Sequence, residues 1–298
     1  MSIVVINPEN YESNYLNYLN TCFPNWGNKT TFDWIFNRKC GLKKADFLIL
    51  KDDNDQVIAG SAVTYRKLKL ADKSIVDIGI MTGSWTLPEA RGKGCFSQII
   101  EESKIICSKN KVSYLTAFVT DINASYRRLK EADFFEKTAI NFFSNDTLFS
   151  ISNSNKEFKF KNNDDLSIDF WFDNYLKSNE NKSSFVYNKT AFETQYLNRI
   201  NQAQSVSINQ SFFLFEDTQT IIKLLFITDF DIENLQFFCN WIRETKNKKV
   251  MFFTSNAIEI EQLKNNNFTF VNGYLMIQNT TQNSDLFNQL NINLGDKM

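Results

Sequence analysis

The chain has 298 residues, of which 43% are hydrophobic and 22% charged, and this composition is typical of a globular protein with one large domain or two ordinary ones. With 33 lysines and arginines against 34 aspartates and glutamates, the net charge is −1, so no overall basic field exists to attract nucleic acid. The sequence contains no histidine, which excludes this residue as a catalytic base or a metal ligand.

The cysteines indicate a compartment rather than a site. Five are present, scattered along the chain without a Cys-x-x-Cys pair: Cys22, Cys40, Cys95, Cys107 and Cys239. Their number and spacing support neither a disulfide framework nor a zinc site, and free thiols fit a reducing cytoplasm. We see no signal peptide and no apolar stretch of about 18 residues. We therefore expect a cytoplasmic protein with no metal and with neither a membrane nor a nucleic acid as partner, in an oligomeric state that the sequence leaves open.

The hydrophobic pattern of the first half predicts two helices, a three-stranded meander and then alternating strands and helices. In chain order the predicted elements are a helix at 9–23, a short helix at 32–36, strands at 47–50, 57–65 and 75–85, a helix from 96 to 109, a strand at 112–120, a helix at 123–132 and a strand at 134–144. This order predicts the α/β class, built as an α+β mixed sheet with flanking helices.

A basic turn, Arg91-Gly92-Lys93-Gly94, separates the strand at 75–85 from the following helix. Glycines let a backbone approach a phosphate closely, and a helix N-terminus offers unpaired N–H groups and the positive end of a dipole. The turn lacks the spacing of a Walker loop, and Ser97 stands where a dinucleotide fingerprint needs glycine. Taken alone, the turn is either a phosphate site or a solvated basic turn before an ordinary helix.

The turn resembles the acetyl-coenzyme A loop of the GNAT superfamily of N-acetyltransferases, Arg/Gln-x-x-Gly-x-Gly/Ala, with Arg91 and Gly94 at its fixed positions. Phe96 departs from the final Gly/Ala of that pattern. Residues 123–134 resemble the second signature of the family, with Asp133 in place of its glycine. The two segments also occur in the order that the family has.

The resemblance implies transfer of an acetyl group from acetyl-CoA, as co-substrate, to a small-molecule or protein amine. It implies that the turn binds the pyrophosphate, and that backbone N–H groups at the end of the preceding strand hold the pantetheine and polarise the thioester carbonyl. The cofactor-binding residues that it implies are Trp85, Thr86, Leu87, Arg91, Gly92, Lys93, Gly94, Cys95, Phe96 and Asn123.

The catalytic residues are less determined. The family often has a tyrosine five residues before the closing Phe as the acid that protonates the thiolate, and here that position is Leu129. Tyr126, nearly one helical turn earlier, is the substitute candidate, and its alternative role is packing. The general base stays open among Asp77, Glu89 and Asp121, each of which could equally be an exposed or capping carboxylate.

The second half repeats features of the first in the same order. The matching segments are 29–38 with 189–199, 109–111 with 246–249, and 129–134 with 263–268. Ordered matches indicate a tandem duplication, with chance similarity between segments rich in Lys, Asn and Phe as the alternative. We therefore expect two tandem GNAT-like acyl-CoA N-acyltransferase domains: residues 1–150 with the acetyl-CoA site, a polar linker at 151–166, and a degenerate copy at 167–298.

The second copy lacks a phosphate turn. Residues 228–234 stand in its place, with Asp229, Asp231 and Glu233 and without Gly, Arg or Lys. These carboxylates suit a helix N-terminus, but they repel a pyrophosphate. The sequence therefore predicts one acetyl-CoA per chain, in the first half. We expect the second half to cover apolar surface of the first and to form one wall of the acceptor cleft.

Three function classes are consistent with these sequence features. The first is an N-acetyltransferase, and the second is a non-catalytic acyl-CoA-sensing or interaction protein with the same fold. The third, an aminoacyl-tRNA-dependent transferase built from two such folds, is disfavoured by the intact CoA loop. Turnover of acetyl-CoA with candidate amines separates the first two.

Overall fold

The structure is a computed structural model, and it describes residues 2–38, 43–150, 160–163, 167–278 and 284–297. The first half contains, in chain order, β1 (Ile3–Ile6), α1 (Glu12–Cys22), α2 (Lys29–Phe32), β2 (Asp46–Lys51), β3 (Val57–Lys69), β4 (Ile75–Thr86), α3 (Cys95–Lys109), β5 (Tyr114–Thr120), α4 (Ala124–Glu131), β6 (Phe135–Thr138) and β7 (Ile140–Phe143). A π-helical turn, Asp33–Asn37, extends α2, and a 3₁₀ turn, Pro88–Ala90, follows β4.

The second half repeats this order, with one additional strand, β9, between its first two helices. It contains β8 (Phe160–Asn163), α5 (Ile168–Ser178), β9 (Ser184–Val186), α6 (Lys189–Phe192), β10 (Ala203–Ile208), β11 (Ser211–Asp217), β12 (Ile221–Ile227), α7 (Ile232–Lys246), β13 (Lys249–Thr254), α8 (Ala257–Asn265), β14 (Thr269–Val271) and β15 (Gly273–Gln278). Two 3₁₀ turns, Ser284–Phe287 and Leu294–Asp296, close the described chain. None of the helices described here is long and apolar enough to cross a membrane.

The strands form two mixed sheets. In one the strands pair in the order β1-β2-β3-β4-β5-β15-β6, and in the other the order is β14-β7-β13-β12-β11-β10-β8. The matching pairs β4–β5 and β12–β13 are parallel, while β3–β4 and β11–β12 are antiparallel. The expected mixed α/β class, with two copies of one topology, is confirmed.

Each sheet includes a strand from the other half of the chain. β15 lies next to β5 in the first sheet, and β7 lies next to β13 in the second sheet. The prediction of a single strand at 134–144 is therefore wrong, because β6 and β7 belong to different sheets and Ala139 separates them. The sequence also did not indicate β1, which pairs with β2 in antiparallel register.

The chain folds into two compact units. The first unit comprises Met1–Lys69, Ser74–Lys137 and Tyr274–Leu286, and the second unit comprises Leu70–Lys73, Thr138–Gly273 and Phe287–Met298. The exchange of strands is why these units do not follow the expected division at residue 150. Within the predicted linker, 160–163 form strand β8, which pairs with β10, and residues 151–159 and 164–166 lie outside the described residues.

The sheet of the first unit is covered on both faces. Successive residues of a strand point to opposite faces, and in β2 Phe47 packs in one cluster with Tyr15 of α1, whereas Leu48 packs in another with Ile99 and Ile100 of α3. All five side chains are at most 2% exposed. The strand is buried on both sides, so its sequence is a continuous apolar run rather than an alternating pattern.

A buried ion pair links two elements of the second unit. Arg199 Nε lies 2.9 Å from Glu216 Oε2, and both side chains are at most 5% exposed. Arg199 also donates to the Gln195 carbonyl at 2.8 Å, and Asn201 Nδ2 donates to Glu216 Oε1 at 3.0 Å. Burial by itself would raise the pKa of Glu216, but the Arg199 charge and these hydrogen bonds outweigh it and hold that pKa below its usual value. The pair therefore stabilises the unit fully at pH values above the pKa that Glu216 has in the unfolded chain. This contribution is lost as the pH falls through the lower pKa that Glu216 has in the folded protein.

We expect Glu216→Ala to lower the free energy of unfolding by about 3–5 kcal/mol, because it leaves the Arg199 charge buried without its partner. Urea unfolding at neutral pH measures this change. The control is Lys29→Ala, which removes an exposed pair to Asp33 of the same 2.9 Å length and should leave stability almost unchanged because solvent screens that pair. Equal losses in the two variants would contradict the argument.

Candidate functional site

The site begins where two parallel strands of the first unit separate. β4 and β5 pair in parallel from Ile78 with Tyr114 to Ile80 with Thr116, and this register ends there although both strands continue. A cavity of about 720 Å³ opens at this point. Among the residues that line it are the strand ends, Met81, Gly83, Ser84, Trp85, Thr86, Ala117, Phe118 and Val119. Backbone groups that face the gap between parting strands are free to bind an extended ligand.

The basic turn lies at one end of this cavity. Gly92 and Gly94 have φ angles of 80° and 78°, in the left-handed region that glycine favours. A Cβ at either position would meet no protein atom within 4 Å, so this backbone faces open space. Gly94 is the N-cap of α3 and supplies no capping side chain, and the first helical bond runs from the Gln98 N–H to the Gly94 carbonyl, 3.3 Å. The N–H groups of the first turn are therefore available to an anion.

Thr86, the last residue of β4, presents its backbone to the cavity. Its carbonyl accepts from Cys22 Sγ and from Arg91 Nε, each at 3.4 Å. The N–H and C=O of one strand residue point to the same edge of the strand, so the Thr86 N–H faces the gap as well. The Leu87 N–H donates to the Ile58 carbonyl at 3.0 Å, so this group is not available to a pantetheine, and the cofactor-binding role of Leu87 stays a prediction.

The helix α4 provides the opposite wall. Asn123 is its N-cap residue, but the side chain makes no capping hydrogen bond. Arg127 and Arg128 also line the cavity, and each contacts Glu131, at 3.5 Å and 2.6 Å. Together with Arg91 they are the charged residues among the described lining, which includes no aspartate or glutamate. The arrangement suits a ligand with phosphate groups at this end.

Two thiols contact the same cavity. Cys22 is half-buried at the end of α1, and Cys95 is buried in the first turn of α3, where its Sγ donates to the Ala90 carbonyl at 3.5 Å. Burial raises the pKa of both thiols above the ordinary value of 9.0, although the Arg91 charge opposes the shift at Cys22. Both are therefore protonated at neutral pH, and neither is activated as a nucleophile.

The structure brings eight of the predicted site residues to the cavity lining: Trp85, Thr86, Arg91, Gly92, Gly94, Cys95, Phe96 and Asn123. Leu87, Lys93 and Tyr126 are outside the described lining. Lys93 is exposed on the turn, where its charge can still act on an anion, and its N–H bonds to the Ala90 carbonyl at 3.4 Å.

Tyr126 lies on another face of α4. Its hydroxyl donates to Glu136 Oε2 at 2.6 Å, and its ring stacks on Tyr274 with 4.9 Å between centroids. The hydrogen bond to Glu136 raises the pKa of Tyr126. The family's tyrosine position, Leu129, is fully buried and lines the cavity with an apolar side chain. A role for Tyr126 as the general acid stays a prediction that this placement does not favour.

The three candidate bases are also outside the described lining of the cavity. Asp77 pairs with Lys67 at 3.2 Å, near the other end of the β3–β4 ladder. Glu89 and Asp121 are exposed on the turns that follow β4 and β5. Their placement agrees with the surface or capping roles that the sequence left open for them.

Sequence reasoning missed the wall formed by the end of α1 and the loop after it, which contributes Cys22, Phe23 and Trp26. No motif marks this segment, and only the packing of α1 on β4 brings it to the site. The basic pair Arg127-Arg128 could have been found, because it lies within the second signature.

Comparison with known proteins finds one family model that matches part of the first half of the chain. Residues 7–129 match the family described as acetyltransferase (GNAT) domain. No curated protein matches the sequence.

Solved structures share the fold over almost the whole chain. A conserved protein of unknown function from Enterococcus faecalis V583, a probable N-acyltransferase, has 9% identity and a TM-score of 0.63, covering 94% of this chain and 72% of that one. Saccharomyces cerevisiae N-myristoyltransferase with bound myristoyl-CoA and inhibitors has 13% identity and a TM-score of 0.64, covering 100% and 86%. A tandem GNAT protein from the clavulanic acid biosynthesis pathway has 7% identity and a TM-score of 0.60, covering 94% and 98%. The fold is thus that of two GNAT domains in tandem.

The wall of the cavity at Trp85 depends on a glycine opposite it. Gly60 pairs with Trp85 across β3 and β4, and a Cβ there would lie 2.6 Å from Trp85 Cζ2. We expect Gly60→Ala to displace the indole from its stack on Tyr18 and to lower stability by about 1–3 kcal/mol, as overpacking does. Urea unfolding measures the loss. The same substitution in a Trp85→Phe background should cost less, because the smaller ring leaves room; an equal loss in both backgrounds would contradict this origin.

Proposed function

Because residues 7–129 match the family model described as acetyltransferase (GNAT) domain, we propose that the protein is an N-acyltransferase that moves an acetyl group from acetyl-CoA to an amine. The observation that supports this most is the coincidence of an open gap between β4 and β5 with an uncapped helix N-terminus beside it. A long ligand with a phosphate group at one end and a polar, extended chain at the other fits this arrangement. Acetyl-CoA has this chemistry.

In the proposed complex the pyrophosphate binds at the turn. The N–H groups of the first turn of α3 donate to it, and the open space at Gly92 and Gly94 lets the backbone approach. Arg91 and Lys93 add positive charge, and Arg127 and Arg128 are placed to attract further phosphate oxygens of the cofactor.

The pantetheine then follows the free edge of β4. The Thr86 N–H and C=O face the gap, and an amide chain laid beside them pairs as an added strand would. A donor on this edge is placed to polarise the thioester carbonyl. The neutral amine attacks the carbonyl carbon, the C–S bond breaks, and the proton lost by the amine balances the charge of the leaving thiolate.

A second candidate is an acyl-CoA-binding protein without turnover. It is favoured by one observation: the described residues that line the cavity include no Asp, Glu or Tyr to take or give the proton. Release of free CoA in the presence of a panel of amines separates the two functions, since both bind acyl-CoA and only the enzyme consumes it.

We expect Gly94→Glu to weaken acetyl-CoA binding roughly 100-fold, because it places a carboxylate where the pyrophosphate binds and like charges repel by several kcal/mol. The matched control is Gly94→Asn, which adopts the left-handed conformation more readily than most residues and adds no charge. Calorimetric titration with acetyl-CoA compares the two, and circular dichroism checks the fold. Equal affinity in the two variants would place the pyrophosphate elsewhere.

We also expect acetyl-CoA to protect Cys22 from alkylation. Cys22 is the half-buried thiol of the lining, whereas Cys95, Cys107 and Cys239 are buried. With the ligand at 100 times its Kd, the iodoacetamide reaction at Cys22 should slow about 100-fold by mass action. Peptide mass spectrometry measures the rate, and Gly94→Glu serves as the unprotected control. If acetyl-CoA did not slow the alkylation of Cys22 in the wild type, the ligand would not reach this wall of the cavity.

A further inference from the structure

The second unit contains a gap that corresponds to the cavity of the first unit. β12 and β13 pair in parallel up to Lys223 and Met251, and α7 connects them as α3 connects β4 and β5. Beyond these residues the strand ends Leu224–Ile227 and Phe252–Phe253 line a cavity of only about 20 Å³, together with Asn293. This space holds no more than a single water molecule. The groove is therefore filled by protein.

The filling is residues 287–297, which we call the closing segment. Asn293 forms an antiparallel bridge with Thr254 at the end of β13, and the turn Leu294–Asp296 packs against β12 and β13. Lys297 Nζ lies 4.1 Å from the centroid of the Phe253 ring. Ile292 is fully buried. The segment thus lies on the strand ends that an extended ligand would use.

Buried polar contacts fix the segment in one register. Asp296, which is 1% exposed, accepts at Oδ1 from the hydroxyls of Tyr175 and Tyr187, at 3.3 Å and 3.0 Å. Asn291 Nδ2 donates to Asn179 Oδ1 at 2.7 Å, also in the interior. Apolar covering alone would not need these bonds. They specify particular side chains at particular positions, as a peptide-binding groove does.

One position of the segment tolerates no side chain. A Cβ at Gly295 would lie 2.1 Å from Cε1 of Tyr196, and the Gly295 carbonyl accepts from Gln195 Nε2 at 2.5 Å. The backbone therefore passes directly over the ring. A side chain at position 295 therefore fits only if the segment or the Tyr196 ring moves.

The turn before α7, which corresponds to the basic turn of the first unit, is closed to a phosphate by its own side chains and not by the closing segment. Asp231 is the N-cap of α7, and its carboxylate accepts from the Asn234 N–H at 2.8 Å. This helix end is thus capped by its own side chain, with Asp229 and Glu233 beside it, whereas Gly94 leaves α3 open. Opening the groove would not create a site for a pyrophosphate.

We propose that the groove between β12 and β13 is a peptide-binding site whose occupant is the closing segment, and that the chain consequently has one acyl-CoA site, in the first unit. The single acyl-CoA site rests on the proposed function, whereas the peptide site rests on the contacts within the second unit alone.

The first test releases the segment in the full chain. Gly295→Leu should make the amides of residues 290–297 exchange with deuterium roughly 10- to 100-fold faster, because the side chain cannot fit against Tyr196. Asn288→Ala, at an exposed residue of the same segment, is the control and should leave the exchange unchanged. If the amides of residues 290–297 still exchanged slowly in Gly295→Leu, the proposal would be overturned. If that variant is unfolded, Asp296→Asn gives a milder release, because it removes the charge that Tyr175 and Tyr187 bind.

The second test fills the vacated groove from outside. A fluorescent synthetic peptide of residues 287–297 should bind the Gly295→Leu chain saturably and should not bind the wild type, whose groove is occupied. The same peptide with leucine at position 295 should bind neither. Absence of binding to the variant, or equal binding to the wild type, would refute a peptide site.

Calorimetry with acetyl-CoA completes the test. Both the wild type and Gly295→Leu should bind one equivalent, with affinities within about twofold. Two equivalents in the variant would refute the peptide assignment, because the groove would then be a second cofactor site. If acetyl-CoA bound to neither chain, the proposed function would be refuted. The result of the peptide experiment would not be affected.

Discussion

The short parallel pairing at the centre of each sheet is the constraint on which the rest depends. β4 and β5 share three paired positions before they separate, as do β12 and β13. Separation leaves edge N–H and C=O groups that must bind something other than a neighbouring strand. In the first unit these groups face a cavity, and in the second they face the closing segment. The same backbone problem thus has two different solutions in one chain.

Charge and capping at the next turn decide which solution each copy uses. The turn before α3 has two glycines in the left-handed conformation and no capping side chain, so its N–H groups stay open. The turn before α7 has Asp231, which satisfies the helix end from within the protein. A helix N-terminus attracts an anion in either case. An internal carboxylate in the second copy leaves no need for an external phosphate.

The exchange of β7 and β15 has a consequence for how function is distributed along the chain. Tyr274, from the second half, stacks on Tyr126 within the first unit, beside the helix that walls the cavity. Each unit is therefore completed by a segment from the other half of the sequence. Division of the chain at residue 150 would separate β15 from the first sheet and β7 from the second sheet.

The sequence by itself determined the local elements and the chemistry of the turn. Periodicity located α3, α4, the meander and the parallel strands, because each depends on neighbours within a few residues. The Arg-Gly-Lys-Gly motif likewise indicated an anion site before any contact was known. Tertiary structure alone decided the rest. Only in the folded chain do Cys22 and Trp26 line the cavity while Tyr126 bonds to Glu136 outside its described lining. Tertiary structure also places β7 and β15 in different sheets and residues 287–297 in the groove of the second unit. These depend on which apolar surfaces meet across long separations in the sequence, and the pattern of an apolar strand such as β7 fits either sheet equally well.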